Sequence, residues 1–375
     1  MQQPDQHIRV IISGGGTGGH IFPAIAIANA IREIRPGAEI LFVGAEGRME
    51  MEKVPAAGYR IIGLPIAGIR REWSMENLSF PLKLVRSLRK AASVIRDFRP
   101  DVAVGVGGYA SGPLLFMASM RGIPTLIQEQ NSYPGITNRI LARRASSVCV
   151  AYEGMERYFD PSKIVFTGNP VRNDIIHVEG KREEGARHFQ IDPSRKTLLV
   201  VGGSQGARSI NRSIFDGLQE LTAAGLQVIW QTGKAFHDEA KSAAARLNNN
   251  AVRVFDFISR MDYGYACADA VVGRAGASTV SELCIVKKPA ILVPLPTAAE
   301  DHQTMNCSAL MSRNAALMVK DAEAPRMLVR EAIRLMSDEQ QRAQLSANLA
   351  PLARPDAAQR IAAEIFKIVK PGRKP

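Results

Sequence analysis

Cysteine is scarce and scattered. The chain holds four in 375 residues, Cys149, Cys267, Cys284 and Cys307, with no CxxC pair and no His/Cys spacing suited to zinc. A disulfide-stapled or zinc-ribbon fold is thereby excluded, and the small or apolar neighbours predict buried, reduced thiols. Aromatic residues make up only 6%, and no basic–aromatic motif of a nucleic-acid reader appears, so nucleic acid is not an expected partner. No glycine loop ends in Gly-Lys-Ser/Thr, which removes Walker-type nucleotide binding. Acidic residues are also in deficit: 36 Asp and Glu stand against 48 Lys and Arg, a net charge of +12. That balance suits nucleic acid, an acidic membrane surface or a phosphorylated substrate, and does not choose among them. The opening MQQPDQH runs straight into IRVIIS, which reads as a first strand rather than a secretory leader. One uncharged run, Val102–Met120, approaches membrane-spanning length. Its Gly105, Gly107, Gly108, Gly112 and Pro113 make it a strand, a glycine loop and a helix start instead.

What is present is ordinary globular material, 46% hydrophobic and long enough for two domains. Strand-like segments (Ile8–Ser13, Ile40–Val43, Val102–Val106, Thr125–Gln128, Ser147–Ala151) alternate with helical ones such as Phe22–Arg35 and Leu82–Arg99. Such alternation predicts a parallel sheet with crossover helices. The pattern breaks at TGNPVR (167–172) and passes through a polar stretch, 179–187. It then resumes with strands at Thr197–Val201, Gln227–Gln231, Val252–Phe255, Ala270–Val272 and Ala290–Val293. The expected organisation is two Rossmann-like α/β domains, 1–174 and 175–355, followed at 356–375 by a helix and basic tail that pack back on the first domain.

Four segments carry chemistry. SGGGTGGH joins the first strand to the first helix, and Gly14, Gly16 and Gly19 satisfy GxGxxG, where bare amides and a helix N-terminus attract phosphate. An NAD-binding domain would share this loop, but would need an acidic ribose ligand after strand two; only Glu46 lies near. His20 ends the loop where strands open into a ligand crevice, and imidazole there can act as base. VVGGSQGARSIN repeats the strand–loop–helix logic in the second half. GRAGASTVSE (273–282) does so again, with Glu282 about one turn or more into its helix, placed to take both ribose hydroxyls. Asp301, His302, Gln303 and Asn306 cluster after the next strand.

Taken together, GGGTGGHIFPAIAIA, GGYASGP, EQNSYPGITNR, GNPVR, VVGGSQGARSIN, RAGASTVSELC and EDHQTMN resemble, in order and spacing, the bacterial peptidoglycan N-acetylglucosaminyltransferases of the MurG family. The resemblance implies the GT-B glycosyltransferase architecture, two Rossmann-like domains facing across a cleft. It implies an inverting transfer of GlcNAc from UDP-GlcNAc to the 4-hydroxyl of MurNAc in undecaprenyl-pyrophosphoryl-MurNAc-pentapeptide, lipid I to lipid II, in cell-wall biogenesis, cell shape and division. No cofactor and no bound metal are implied, and the sequence shows no DxD pair. By motif, Thr17, Gly18 and Gly19 would touch the donor sugar or the acceptor pyrophosphate. Asn131 and Arg172 would reach into the cleft from the first half. Ser204 would bind the donor diphosphate, and the Ile258 backbone would meet uracil. Ala277, Ser278, Thr279, Val280 and Ser281 would line the nucleotide, Glu282 would hold ribose, and Gln303 would bond the GlcNAc hydroxyls.

The chain departs from the family at one site residue. Where HEQN is usual, it reads Gln128-Glu129-Gln130-Asn131. Glutamine cannot serve as a base, so His20 is the first candidate and Glu129 the second. The resemblance also implies a peripheral position on the cytoplasmic face of the membrane, with other cell-wall synthesis proteins as partners. Leu82, Leu84, Val85, Leu88, Ala92 and Ile95 interleave with Lys83, Arg86, Arg89, Lys90, Arg96 and Arg99. That helix either lies on an anionic surface, with Ile69, Trp73 and Phe80 beside it, or is a crossover helix with a solvated basic face. Competing readings are a glycolipid synthase using a UDP-sugar and a UDP-GlcNAc 2-epimerase of the same fold.

Overall fold

The computed structural model describes residues 7–66, 80–203, 205–247, 250–298 and 301–369. Ile69, Trp73 and Ser204 lie outside them. The chain divides into two compact units, Met1–Val171 with Pro355–Pro375, and Arg172–Arg354. The division falls before Arg172, so the GNPVR motif is split and its arginine belongs to the second unit rather than to the first half.

The first unit is built on β1 (Arg9–Ser13), β2 (Glu39–Ala45), β3 (Arg60–Leu64), β4 (Val102–Gly105), β5 (Thr125–Glu129), β6 (Ser147–Val150) and β7 (Ile164–Phe166). They pair in the order β3-β2-β1-β4-β5-β6-β7, with Val10 beside both Ile40 and Val102 in parallel register. The second unit has β8 (Thr197–Val201), β9 (Gln227–Gln231), β10 (Val252–Phe255), β11 (Ala270–Gly273), β12 (Ala290–Leu292) and β13 (Leu317–Met318). Their order is β10-β9-β8-β11-β12-β13, again parallel. In both sheets the order reverses beside the first strand, between β1 and β4 and between β8 and β11. Such reversals open a crevice at the carboxyl ends of the strands. The glycine loops leave β1, β4, β8 and β11 at those two points, which is why they, and not other turns, are placed to hold ligand.

Covered on both faces, the central strands have continuous apolar centres, as residues 10–12 and 198–201 show. Trp230 on β9 is fully buried and its indole N–H donates to Asn211 Oδ1 at 3.1 Å, so its one polar atom is satisfied. The Ala357–Ile368 helix buries Ala357, Ala358, Ile361, Ala362 and Ile365 and packs against the Gly18–Ile34 helix, itself rich in buried alanine. Small side chains let the two axes approach. Ile361 and Ile365 each contribute about 1.5–3 kcal/mol by burial, and Arg35 covers the Phe366 ring at 4.6 Å.

Several elements differ from the sequence reading. β3, β7 and β13 were not expected; each lies at a sheet edge, and β7 and β13 are three and two residues long and only half-buried. The polar stretch after 179 contains a helix, Arg182–Phe189, seated by Gly185 against Cys267. All four cysteines are buried and free. Among the described residues no helix is long and apolar enough to cross a membrane.

Candidate functional site

In the first unit the site grows from the loop between β1 and the Gly18–Ile34 helix. That helix starts with neither a side-chain cap bond from Thr17 nor an acidic residue in its first turn, the arrangement that suits an anionic ligand. Gly16 stands at φ +85°, which glycine adopts without strain. Thr17 is exposed, and Gly18, Gly19 and His20 are half-buried. His20 Nδ1 lies 3.1 Å from Gly15 O and 3.4 Å from Thr17 Oγ1. A carbonyl only accepts, so Nδ1 carries the hydrogen and the basic lone pair of the neutral ring is on Nε2. The β4 loop packs against this ring: a Cβ on Gly107 would lie 2.8 Å from Nε2. That close approach is what the GGY sequence provides.

The QEQN segment, at the end of β5, is a buried polar network. Gln128 is fully buried; its amide donates to Asn169 Oδ1 at 2.8 Å and its carbonyl accepts from Gln130. Gln130 also donates to Val106 O at 2.6 Å, and Asn169 returns a bond to Gln130 O at 2.9 Å. Position 128 therefore braces β5 against the β4 and 167–170 loops. Glu129 is likewise buried, and its two oxygens accept from the backbone N–H of Asn131 and Gly135 and the side-chain amides of Asn131 and Asn138. Burial raises its pKa above the ordinary value against the pull of these donors. Four N–H groups on one buried carboxylate describe a loop anchor; both oxygens are engaged within the protein rather than turned to a substrate hydroxyl.

In the second unit the Arg208–Asp216 and Ala277–Val286 helices also begin without a side-chain cap or a first-turn acid. Ser278 Oγ, in the first turn of the latter, is buried with no partner among the described residues. Ala277, Thr279 and Ser281 are half-buried beside it, while Val280 turns into the core. Glu282 is half-buried, and its Oε2 accepts from Tyr265 Oη at 2.7 Å. Burial pushes the Glu282 carboxyl up to about 7; Tyr265 and Arg172 pull it down, and Asp174 pushes it up. Arg172 is itself held by Asp174 through two contacts, Nε to Oδ1 at 3.0 Å and a second, shorter one. It also reaches Ser259 O at 3.5 Å. Gln303 accepts the Leu295 N–H at 2.9 Å, so its NH₂ is the end that can donate to a sugar oxygen.

Three residues that the sequence reading passed over organise these loops. Gln231, at the end of β9, donates to Gly203 O at 3.0 Å and accepts from Ile258 N–H at 2.8 Å, tying the second glycine loop to the 256–258 turn. The Ile258 amide is thus already used within the protein. Arg274 turns away from the loop to Asp321, Val293 O and Ser209. In the first unit, Glu50 lies beneath the glycine loop. Only polarity hinted at such roles: Gln231 ends a strand, Arg274 follows one, and Glu50 opens the Glu50–Ala56 helix.

Two family models match the chain: the glycosyltransferase family 28 N-terminal domain over residues 10–150 and its C-terminal domain over 197–361. The chain belongs to glycosyltransferase family 28. This family 28 glycosyltransferase is 54% identical over 371 residues, 99% of each chain, to the UDP-N-acetylglucosamine–N-acetylmuramyl-(pentapeptide) pyrophosphoryl-undecaprenol N-acetylglucosamine transferase of Phocaeicola vulgatus. It is 54% identical to the protein of that name from Cytophaga hutchinsonii, over 98% of each chain. Among solved structures it is similar to Acinetobacter baumannii MurG, with TM-score 0.75 and 28% identity over 96% of this chain and 99% of that one. The family 28 fold also matches the Neisseria meningitidis UDP-GlcNAc 2-epimerase, TM-score 0.68 at 12% identity over 96% of this chain and all of that one, a likeness of fold alone. The two Rossmann-like units and the family read from the motifs are thus both present.

Proposed function

We propose that this chain moves GlcNAc from UDP-GlcNAc to the 4-hydroxyl of MurNAc in undecaprenyl-pyrophosphoryl-MurNAc-pentapeptide, making lipid II from lipid I. The observation that carries the reading is identity above half, end to end, with transferases of that name. In one displacement the acceptor O4 bonds to the anomeric carbon, the bond from that carbon to the diphosphate breaks on the opposite face, and configuration inverts. The O4 proton goes to His20 Nε2, and the leaving charge rests on UDP.

The donor belongs to the second unit. Amides of the Ala277–Val286 helix, with Ser204 and Ser278, take the diphosphate. Glu282 takes the ribose hydroxyls, the Ile258 carbonyl takes the uracil N3–H, and the Gln303 NH₂ takes a GlcNAc oxygen. Thr17, Gly18 and Gly19 meet the acceptor pyrophosphate, and Asn131 and Arg172 orient the sugars. The test is turnover of UDP-GlcNAc with a short-chain lipid I analogue, with UDP-GalNAc and UDP-glucose as controls. GlcNAc-MurNAc product from the first donor alone is expected; its absence overturns the reading.

The acceptor is a lipid, so the enzyme works at a bilayer, and the first unit offers a face for it. The Phe80–Phe98 helix buries Ser87, Ala91, Val94 and Ile95, which makes it a crossover helix, with Leu84 turned to the core and Phe80 half-buried. Its Leu82 and Val85 nevertheless stay exposed, as do Phe116, Met120, Ile136 and Ile140 on the two helices that follow it in packing order. Exposed Arg86, Arg89, Arg143 and Arg144 surround them, and Arg144 lies 5.9 Å over Phe116. Apolar residues within a cationic field fit an anionic lipid surface. Co-sedimentation with anionic vesicles should weaken about fivefold for each of Arg86, Arg89 and Arg144 changed to serine, and should fall with salt. Equal binding to zwitterionic and anionic vesicles would sink this placement.

A further inference from the structure

Glu50 is 1% exposed, and nothing in the transfer reaction above uses it. Its two oxygens are separately occupied: Oε1 accepts the Ala45 N–H at 2.9 Å, and Oε2 accepts the Gly16 N–H at 2.9 Å. A carboxylate accepts at both oxygens, whereas a glutamine would set an NH₂ against one of these N–H groups. The Gly16 N–H belongs to the same peptide group as the Gly15 carbonyl, and that carbonyl accepts from His20 Nδ1 at 3.1 Å. In a trans peptide the two bonds point opposite ways, so carboxylate, peptide and imidazole form one hydrogen-bonded line.

The surrounding glycines leave room for that line. A Cβ on Gly44 would stand 2.5 Å from Glu50 Cγ, and one on Gly15 would overlap Glu50 Oε1. One on Gly107 would stand 2.6 Å from His20 Cδ2, and one on Gly108 would overlap the Gly15 carbonyl. Three separate segments, after β1, within β2 and after β4, thus keep a side chain off the same three groups. The arrangement also gives the first loop a different character from a dinucleotide loop. One of its amides is spent on an internal carboxylate rather than kept for a phosphate.

We propose that Glu50 is a positioning residue for His20, acting through the Gly15–Gly16 peptide to fix the Nδ1–H tautomer and to favour the ring's protonated form as the acceptor proton arrives. Successive hydrogen bonds polarise one another, so the carboxylate strengthens the Gly15 carbonyl as an acceptor. A buried carboxylate holding a catalytic histidine in its working tautomer is an arrangement enzymes use directly; here a peptide group stands between the two. The inference rests on the reading of His20 as the base.

The test uses full-length enzyme labelled with ¹⁵N-histidine and ¹⁵N-glycine. In the wild type the His20 ring should give the pattern of a single Nδ1–H tautomer. In Glu50→Gln that pattern should move toward a mixture of tautomers, with kcat at least tenfold lower and the KM for UDP-GlcNAc unchanged. From the other end, His20→Ala removes the donor to Gly15 O without touching a buried group, and should shift the Gly16 amide proton upfield. This second measurement decides the matter if Glu50→Gln fails to fold. An unchanged ring pattern in folded Glu50→Gln, or an unmoved Gly16 amide in His20→Ala, overturns the proposal. If both resonances move while His20→Ala keeps its turnover, the line stands and the base assignment falls.

Discussion

His20→Ala is expected to lower kcat by about 10²–10⁴-fold, the range for a lost general base, while the KM for UDP-GlcNAc stays within about twofold. The split follows from where the groups lie. The ring belongs to the first unit, and the groups proposed for diphosphate, ribose and uracil belong to the second. Removing the ring should therefore cost the chemical step without costing donor binding. Stability should change little, because the side chain is only half-buried. The pH profile carries the sharper information. In the wild type kcat/KM should rise with pH as the base loses its proton, and in the variant that rising limb should flatten. Near-normal turnover across pH would exclude His20. Glu129 would be a poor replacement, since its oxygens are engaged by four N–H groups that any proton would disturb.

The fold was legible where burial is complete. β8 and β9 run between the residues expected, because a strand covered on both faces carries an apolar centre bounded by polar residues. Of the edge strands, β10 stands where expected, but β3, β7 and β13 escaped, because short or half-buried runs such as Ile164–Phe166 carry a weaker pattern. Within the site, loops were legible and their supports were not. Glycine spacing marks a ligand loop, but nothing in Glu50, Gln231 or Tyr265 announces a partner 34, 28 or 17 positions away. The QEQN departure shows the same limit from the other side. Read as sequence, glutamine at 128 is a missing base; in the fold, position 128 is sealed beneath the loop and bonds to Asn169, so its side chain braces structure.

Glu282→Ala is expected to raise the KM for UDP-GlcNAc by about 10–100-fold with a smaller change in kcat, since hydrogen bonds to a charged group are worth about 1.5–3 kcal/mol. The carboxylate is set up before any ribose arrives. Tyr265, 2% exposed, holds Oε2 at 2.7 Å and fixes the direction of the group. The same burial that aims it also resists its charge and lifts its pKa to about 7. An acid titrating there is about nine-tenths ionised at pH 8 and about one-tenth at pH 6. Only the ionised form accepts from both ribose hydroxyls, so the donor KM should climb as pH falls from 8 to 6. Stability should run the other way. A folded-state value above the unfolded one favours the fold at low pH, and that advantage disappears as pH rises through about 7. Glu282→Gln carries no charge to bury. It should therefore unfold at a higher temperature than the wild type at pH 8, with little difference at pH 5, while binding donor more weakly at pH 8. A donor KM that stays flat from pH 6 to 8, or a Glu282→Gln variant less stable than wild type at pH 8, would show that the carboxylate is not the strained, ribose-directed group this geometry describes.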